Sequence, residues 1–195
     1  MTTTAIQEKW NNRYRDSDAV LPEPVWVLKQ YDHLLPAGGM ALDLACGLGG
    51  NAIFLAQAGF AVNAWDISDV AVRTLQNFSL SRRLMIDAVT RDVEREPPAP
   101  LSQDVIVVSY FLHRPLFASL AAALRPGGLI YYQTFSVDRP EGAPGPRNPD
   151  FLLQRNELLR AFSSLDVFAF HDEGSLGDGV KGLRGESAIV AQKRP

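Results

Sequence analysis

The sequence predicts an α/β protein. Its seven-stranded, doubly wound sheet is mostly parallel, with an antiparallel pair at the C-terminal edge and helices on both faces. Three observations carry this. Short apolar runs alternate with segments of helical period between residues 40 and 135. A glycine-rich junction, "LACGLGGN" (44–51), links the first such run to the helix that follows. The last two apolar runs, "LDVFAF" (165–170) and "SAIVAQ" (187–192), have only a loop between them, as an antiparallel pair requires.

Taken in order, residues 6–35 read as a helical region interrupted at Pro22-Glu23-Pro24. Met40–Leu44 is a short apolar run, hence a buried strand, and Asn51–Gln57 is a helix. Phe60–Trp65 is the second strand. Asp69–Leu80 places Ala71, Val72, Leu75 and Phe78 on one helical stripe, with Ser68 in position to cap it. Leu84–Val89 and "DVIVVSYF" (104–111) are strands three and four. Leu116–Leu124 is a helix stopped by "RPGG" (125–128), which reads as a turn, and Leu129–Phe135 is strand five. Glu157–Phe162 is a further helix. Crossovers between parallel strands run right-handed, which gives the doubly wound arrangement.

The 195 residues fit one domain, 1–195, with residues 1–36 as an N-terminal helical cap. A net charge of -3 and only one adjacent basic pair, Arg82-Arg83, disfavour a nucleic-acid partner. No run approaches the ~18 apolar residues of a membrane helix, so a membrane is not an expected partner. The start, "MTTTAIQEKW", lacks the regions of a signal peptide. The single cysteine, Cys46, cannot form an internal disulfide, which suits a reducing cytoplasm. Oligomeric state is not legible.

The junction after the first strand is where open α/β sheets bind ligands. Its glycines let the backbone approach a ligand, and the helix start presents free N–H groups. Two cofactor readings compete. Gly47, Gly49 and Ala52 fit the G-x-G-x-x-G/A dinucleotide pattern of Rossmann-like sheets, and Asp66 follows Gly47 by 19 residues, where a ribose-binding acid belongs. That reading makes the chain a nicotinamide-dependent oxidoreductase. Asp43 favours the other. A buried acid needs a partner, which a cationic ligand supplies and a pyrophosphate does not.

"LDLACGLGGN" and "AWDIS" at this spacing resemble the class I S-adenosylmethionine-dependent methyltransferases. The resemblance runs from about residue 38 to the end, through "TRDVE", "DVIVVSYFLHRP", "LRPGGLIYYQTF" and the final strand pair. Within that family the chain is similar to the small bacterial tellurite-resistance group, a likeness strengthened by "RPEGAPGPRNPDFLLQRNELLRAF" (139–162). The resemblance implies S-adenosylmethionine as cofactor and S-adenosylhomocysteine as product. It implies that Asp43, Ala45, Cys46, Gly47, Gly49 and Asn51 surround the methionine end of the cofactor. Asp66 would bind the ribose, Ile67 would lie against the adenine, and Asp92 with Val93 would flank its amino group. Ser109 and Tyr110 would line the cofactor at the end of strand four. Ala45 replaces the family's usual glycine, a change tolerated if its φ is negative. Cys46 is expected to be small filler rather than a nucleophile.

Methyl transfer from a sulfonium depends mainly on positioning. Trp10, Tyr14 and Tyr110 are candidates to face the cation, while Trp65 is expected in the core. His113 follows strand four and is the candidate base, with Tyr110 and Arg114 as catalytic companions. Trp10, Arg13, Tyr14 and Arg147 are the candidate substrate contacts. The proline-rich stretch Asp138–Asp150 is expected to wall the acceptor pocket, and the glycine-rich 174–185 loop to be mobile. No metal site is expected. The expected function is methylation of a small molecule such as a thiol or a chalcogen oxyanion. A non-catalytic domain that binds the same cofactor is the alternative.

Overall fold

A computed structural model describes residues 2–15 and 22–195. Helix α1 (Thr3–Arg15) is followed, after the described chain resumes at Pro22, by α2 (Trp26–Gln30) and a single turn at Asp32–Leu34. Then come β1 (Gly39–Leu44), α3 (Gly50–Gln57), β2 (Phe60–Asp66), α4 (Asp69–Arg82), β3 (Ile86–Thr90) and β4 (Gln103–Ser109). The chain ends with α5 (Leu116–Ala123), β5 (Leu124–Phe135), α6 (Glu157–Ala161), β6 (Asp166–His171) and β7 (Glu186–Gln192).

The seven strands form one sheet in the order β3-β2-β1-β4-β5-β7-β6. Strands β1 to β5 are parallel, and β7 runs antiparallel between β5 and β6. The chain winds outward from β1 through β2 and β3, then returns to start β4 on β1's other side. The crevice at this reversal lies beyond the carboxyl ends of β1 and β4.

Strand alternation sorts the core into two layers. Ala41, Val62, Val105, Val107, Leu129, Tyr131 and Val190 pack with Val27 and Leu28 of α2, Leu55 of α3 and Leu75 of α4. Leu42, Leu44, Ile106, Val108, Ile130, Tyr132 and Ile189 pack on the other face with Leu116 and Leu120 of α5 and Leu158 of α6. Trp65 joins this second layer, and the Arg91 guanidinium lies 4.0 Å from its ring centre.

Two local expectations change, and the contacts of a third segment come into view. The helical region of 6–35 resolves into two short helices and a single turn, and residues 16–21 of that region lie outside the described part. "RPGG" is not a free turn. Strand β5 starts at Leu124 opposite Gln103, and the register resumes only at Val105–Leu129, so residues 125–128 form a bulge within the strand. Gly127, at φ +78°, donates to the Lys193 carbonyl and so stays in the sheet while turning. The 174–185 loop, expected to be mobile, is stitched by Arg184, which donates to the carbonyls of Gly174, Leu176 and Asp178.

Helix α1 attaches differently from the others. Its buried residue is polar, Asn11, whose side-chain oxygen accepts from Ser68 Oγ at 2.7 Å. Ser68 also caps α4 by accepting from the Ala71 N–H at 3.2 Å. One hydroxyl therefore starts α4 and holds α1. Ser68→Ala is expected to cost about 1–2 kcal/mol, the scale of a lost helix cap. Thermal unfolding should show this as a drop of roughly 2–8 °C, and an unchanged midpoint would refute the cap's contribution.

Candidate active site

The crevice is built around Asp43, the next-to-last residue of β1, which is fully buried. One carboxylate oxygen accepts from Asn51 Nδ2 at 3.2 Å and the other from the Ala52 N–H at 3.0 Å. Both donors belong to the first turn of α3, where unpaired N–H groups favour an anion. Asn51 also donates to Ser109 Oγ at 2.9 Å and accepts from the Val25 N–H at 2.8 Å. One carboxylate thus orders the end of β4 and the entry to α2. Burial pushes the Asp43 carboxyl up to about 7, against the lowering pull of its hydrogen bonds.

The turn between β1 and α3 needs its glycines for two different reasons. Gly47 and Gly49 have φ of +53° and +83°. Gly50 has no such φ, but a Cβ there would sit 2.4 Å from the Pro22 carbonyl oxygen. The segment before α2 therefore crosses directly over the turn. Ala45 departs from the expected negative φ. It sits at +57°, in the left-handed region, so the methyl group that replaces the family's glycine is strained. Cys46 is buried, and burial with the Asp43 and Asp66 charges pushes its thiol well up, which keeps it an inert filler.

Asp66 ends β2 and is 6% exposed. Its two oxygens accept from the Gly47 and Ser68 N–H groups, each at 2.8 Å. Burial raises its carboxyl above the usual range. Ile67 is half-buried and Val93 is buried, beside Asp92 in the turn after β3. Asp92 accepts from Thr3 Oγ1 of α1 at 2.9 Å. Tyr14 of the same helix brings its hydroxyl against Gly47, where a Cβ would meet it at 2.7 Å. Burial, then the Asp66 charge, pushes that phenol far above its normal value. Helix α1 therefore lies along the crevice and contacts residues from both of its ends.

The other candidates are spread over separate places. Tyr110 follows Ser109 with φ +53°, half-exposed, its ring 5.1 Å from Phe135. A bulky residue in that conformation is a strained position of the kind found at functional sites. His113 faces Glu94 at 3.5 Å, on the side of the Asp92 turn. Arg114 pairs with both oxygens of Glu157 and donates to the carbonyls of Asp150 and Leu152, so it fastens the segment before α6. Trp10 stacks on Tyr14 at 6.0 Å with Arg13 over its outer face, while Arg147 is exposed on the proline-rich loop. That loop reaches the crevice through Gly145, which lies against the Phe135 ring.

Two polar residues of the crevice escaped the sequence reading. Gln133 is buried in β5, accepts from the Val27 N–H at 2.8 Å, and donates to Glu186 Oε2 at 2.6 Å. Glu186 opens β7 and interacts with the Tyr110 hydroxyl. The signal was a lone glutamine inside "LIYYQTF", an otherwise apolar strand where a polar group needs a partner. Among the described residues, no group of His, Cys, Asp and Glu is placed to hold a metal ion. The strain at Ala45 gives a direct test. Ala45→Gly should raise stability by up to about 1 kcal/mol in denaturant titrations, and a loss of that size would contradict the left-handed backbone.

Residues 41–128 match the family model described as a methyltransferase domain. Over 142 residues the chain is 30% identical to the protein named Hemagglutinin 1 of Eikenella corrodens, a match covering 67% of this chain and 45% of that one. The chain thus spans less than half the length of that relative. TehB from Haemophilus influenzae superposes with a TM-score of 0.68 at 21% identity, over 86% of this chain and 61% of its own. The geranyl diphosphate C-methyltransferase of Streptomyces coelicolor A3(2) superposes at 0.71 and 18% identity, over 98% and 97%. Residues 41–128 thus match a methyltransferase domain, and the chain shares its fold with these two solved proteins.

Proposed function

We propose that the chain transfers the methyl group of S-adenosylmethionine to a small nucleophile, a thiol or a chalcogen oxyanion. One observation carries the reading. Two buried carboxylates, Asp43 and Asp66, flank the glycine turn, and no ion pair with Lys, Arg or His serves either of them among the described residues. A ligand with a cationic end fits this set, and a dinucleotide pyrophosphate does not. The cofactor supplies a methyl group already activated on a sulfonium.

Asp43, through Asn51 and the start of α3, sets the charge at the methionine end. Gly47 and Gly49 keep the backbone low beneath it. Asp66 takes the ribose, with Ile67 and Val93 as apolar walls and Asp92 at the adenine edge. Ser109 and Tyr110 complete the lining toward the acceptor. Trp10, Arg13, Tyr14 and Arg147 approach from α1 and the proline-rich loop, and His113 and Arg114 stand beyond β4. The single cysteine agrees with a reducing cytoplasm, and the acidic balance with a small acceptor rather than nucleic acid.

The direct test is S-adenosylhomocysteine formation, followed by mass spectrometry, on a panel of small acceptors. Donor binding without product from any acceptor would favour a non-catalytic binding domain. Asp66→Ala should weaken donor binding by roughly 1–3 kcal/mol, and equal affinities by calorimetry would remove Asp66 from the site.

Asp43 adds a pH dependence. Its carboxyl lies at about 7 in the fold against an ordinary 3.8. The folded state therefore holds a proton that the unfolded chain releases in this window. The stability it contributes is full below the ordinary value and is lost as pH rises through about 7. A cation bound beside the carboxylate displaces that proton. Donor affinity should fall by up to about tenfold per unit below neutrality, with proton release on binding, and Asp43→Asn should abolish the proton release.

A further inference from the structure

Asp43, Ser109, Gln133 and Glu186 lie on one face of the sheet, the face covered by α2 and α3. In β1, β4, β5 and β7 they continue the rows of Ala41, Val107, Tyr131 and Ala188, all of which face that layer. The apolar face thus becomes polar at the crevice and stays polar across four strands. Asp43 and Ser109 share Asn51. Gln133 and Glu186 lie on the next two strands, past the donor site and toward the proline-rich loop.

The geometry of this outer pair is fixed. The Gln133 carbonyl oxygen is taken by the Val27 N–H, so its amide nitrogen must face Glu186, where it donates at 2.6 Å. Glu186 pairs across the sheet with Phe135, whose ring lies 5.1 Å from that of Tyr110, which brings the Tyr110 side chain beside the Glu186 carboxylate. It has no cationic partner among the described residues. Arg184, two residues away, is committed to the carbonyls of Gly174, Leu176 and Asp178, and Arg139, whose Cβ approaches Gly185, to those of Pro144 and Pro146. Burial raises the Glu186 carboxyl above its usual range. Burial, then the Glu186 charge, pushes the Tyr110 phenol up to about 12. Tyr110 keeps its proton at neutral pH and can serve as a relay but not as a resident phenolate. Tyr110 is 50% exposed and held with a positive φ, whereas Glu186 stands behind it.

We propose that Tyr110 meets the methyl acceptor and that Glu186, aimed by Gln133, takes the acceptor's proton through it, so that the acceptor is an uncharged protic nucleophile (a thiol, a phenol or an amine) rather than an oxyanion. This rests on the methyltransferase reading above; of its acceptors it keeps the thiol, adds other uncharged protic nucleophiles and sets the oxyanion aside. In the step, the acceptor heteroatom attacks the methyl carbon as the carbon–sulfur bond breaks, and that bond's electron pair returns to sulfur to give the neutral thioether. The heteroatom's proton passes to the Tyr110 oxygen, and the Tyr110 proton passes to the Glu186 carboxylate. Charge balances, because the positive charge lost at sulfur is the proton that neutralises Glu186. An oxyanion has no proton to give and would face an unpaired carboxylate, which repels it.

The experiment measures turnover of wild type, Glu186→Gln and Tyr110→Phe on a series of thiols, phenols and amines of graded acidity and on tellurite and selenite. Donor affinity is measured on each protein by calorimetry. Wild type should methylate the protic series and not the oxyanions. Both variants should lose roughly 100-fold in kcat or more on acceptors that are protonated at the assay pH, with the donor Kd of Glu186→Gln within about twofold of wild type. The loss should shrink toward unity for acceptors already ionised, a trend that mere misfolding or mispacking does not produce. Variants that match wild type on protonated acceptors would overturn the proposal. So would methylation confined to oxyanions. Failure of wild type to bind the donor, or donor binding with no turnover on the whole panel, would instead overturn the methyltransferase reading beneath it.

Discussion

A carboxylate with no water around it is the constraint from which the crevice follows. Asp43 is buried at the strand end where the sheet reverses its winding, and an anion there must be fully solvated by protein groups. Its two oxygens use one side-chain amide and one backbone N–H, both from the first turn of α3. That requirement fixes where α3 begins and how sharply the chain must turn after β1. The spare hydrogen-bonding capacity of Asn51 then holds Ser109 and the N–H of Val25. Three elements far apart in sequence converge on one charge. The tight turn, in which Ala45 adopts a strained backbone, is a consequence of that convergence.

The polar edge repeats this logic at a second carboxyl. Glu186, like Asp43, is satisfied by an amide side chain that is itself held by an N–H at α2: Val27 on Gln133, Val25 on Asn51. Helix α2 is only five residues long and lies over both pairs. A shift of α2 would disturb the donor and acceptor sides together, because its backbone orients the amides of both. Electrostatically the two carboxyls are alike in lacking a cation. They differ in that Asp43 is fully buried, whereas Glu186 is partly exposed, beside the half-exposed Tyr110.

The parts of the fold legible in the sequence were those governed by local chemistry. Seven apolar runs gave the strands, Ser68 announced the start of α4, and the glycines between β1 and α3 marked the crevice. The unread parts depended on partners distant along the chain. "RPGG" carries the chemistry of a turn, yet Lys193, some 65 residues later, holds its glycines in the sheet. The φ of Ala45 belongs to the tight turn that brings Asn51 and Ala52 back to Asp43, and an alanine in the sequence does not signal it. Arg114 was conspicuous because it follows β4, but its partner Glu157 lies 43 positions on and makes it a fastener of the chain. Gln133 and Glu186 are 53 apart, and only strand pairing brings them together.

The attachment of α1 has one more implication. Thr3 donates to the same carboxyl, Asp92, that the family resemblance gives to the adenine edge, and a carboxylate has lone pairs enough to accept from more than one donor. Any ligand at that edge would therefore share its acid with the helix. Helix α1 touches the crevice through hydroxyls, an amide and a phenol rather than through an apolar face, so its seating is set by the direction of a few hydrogen bonds and not by buried area.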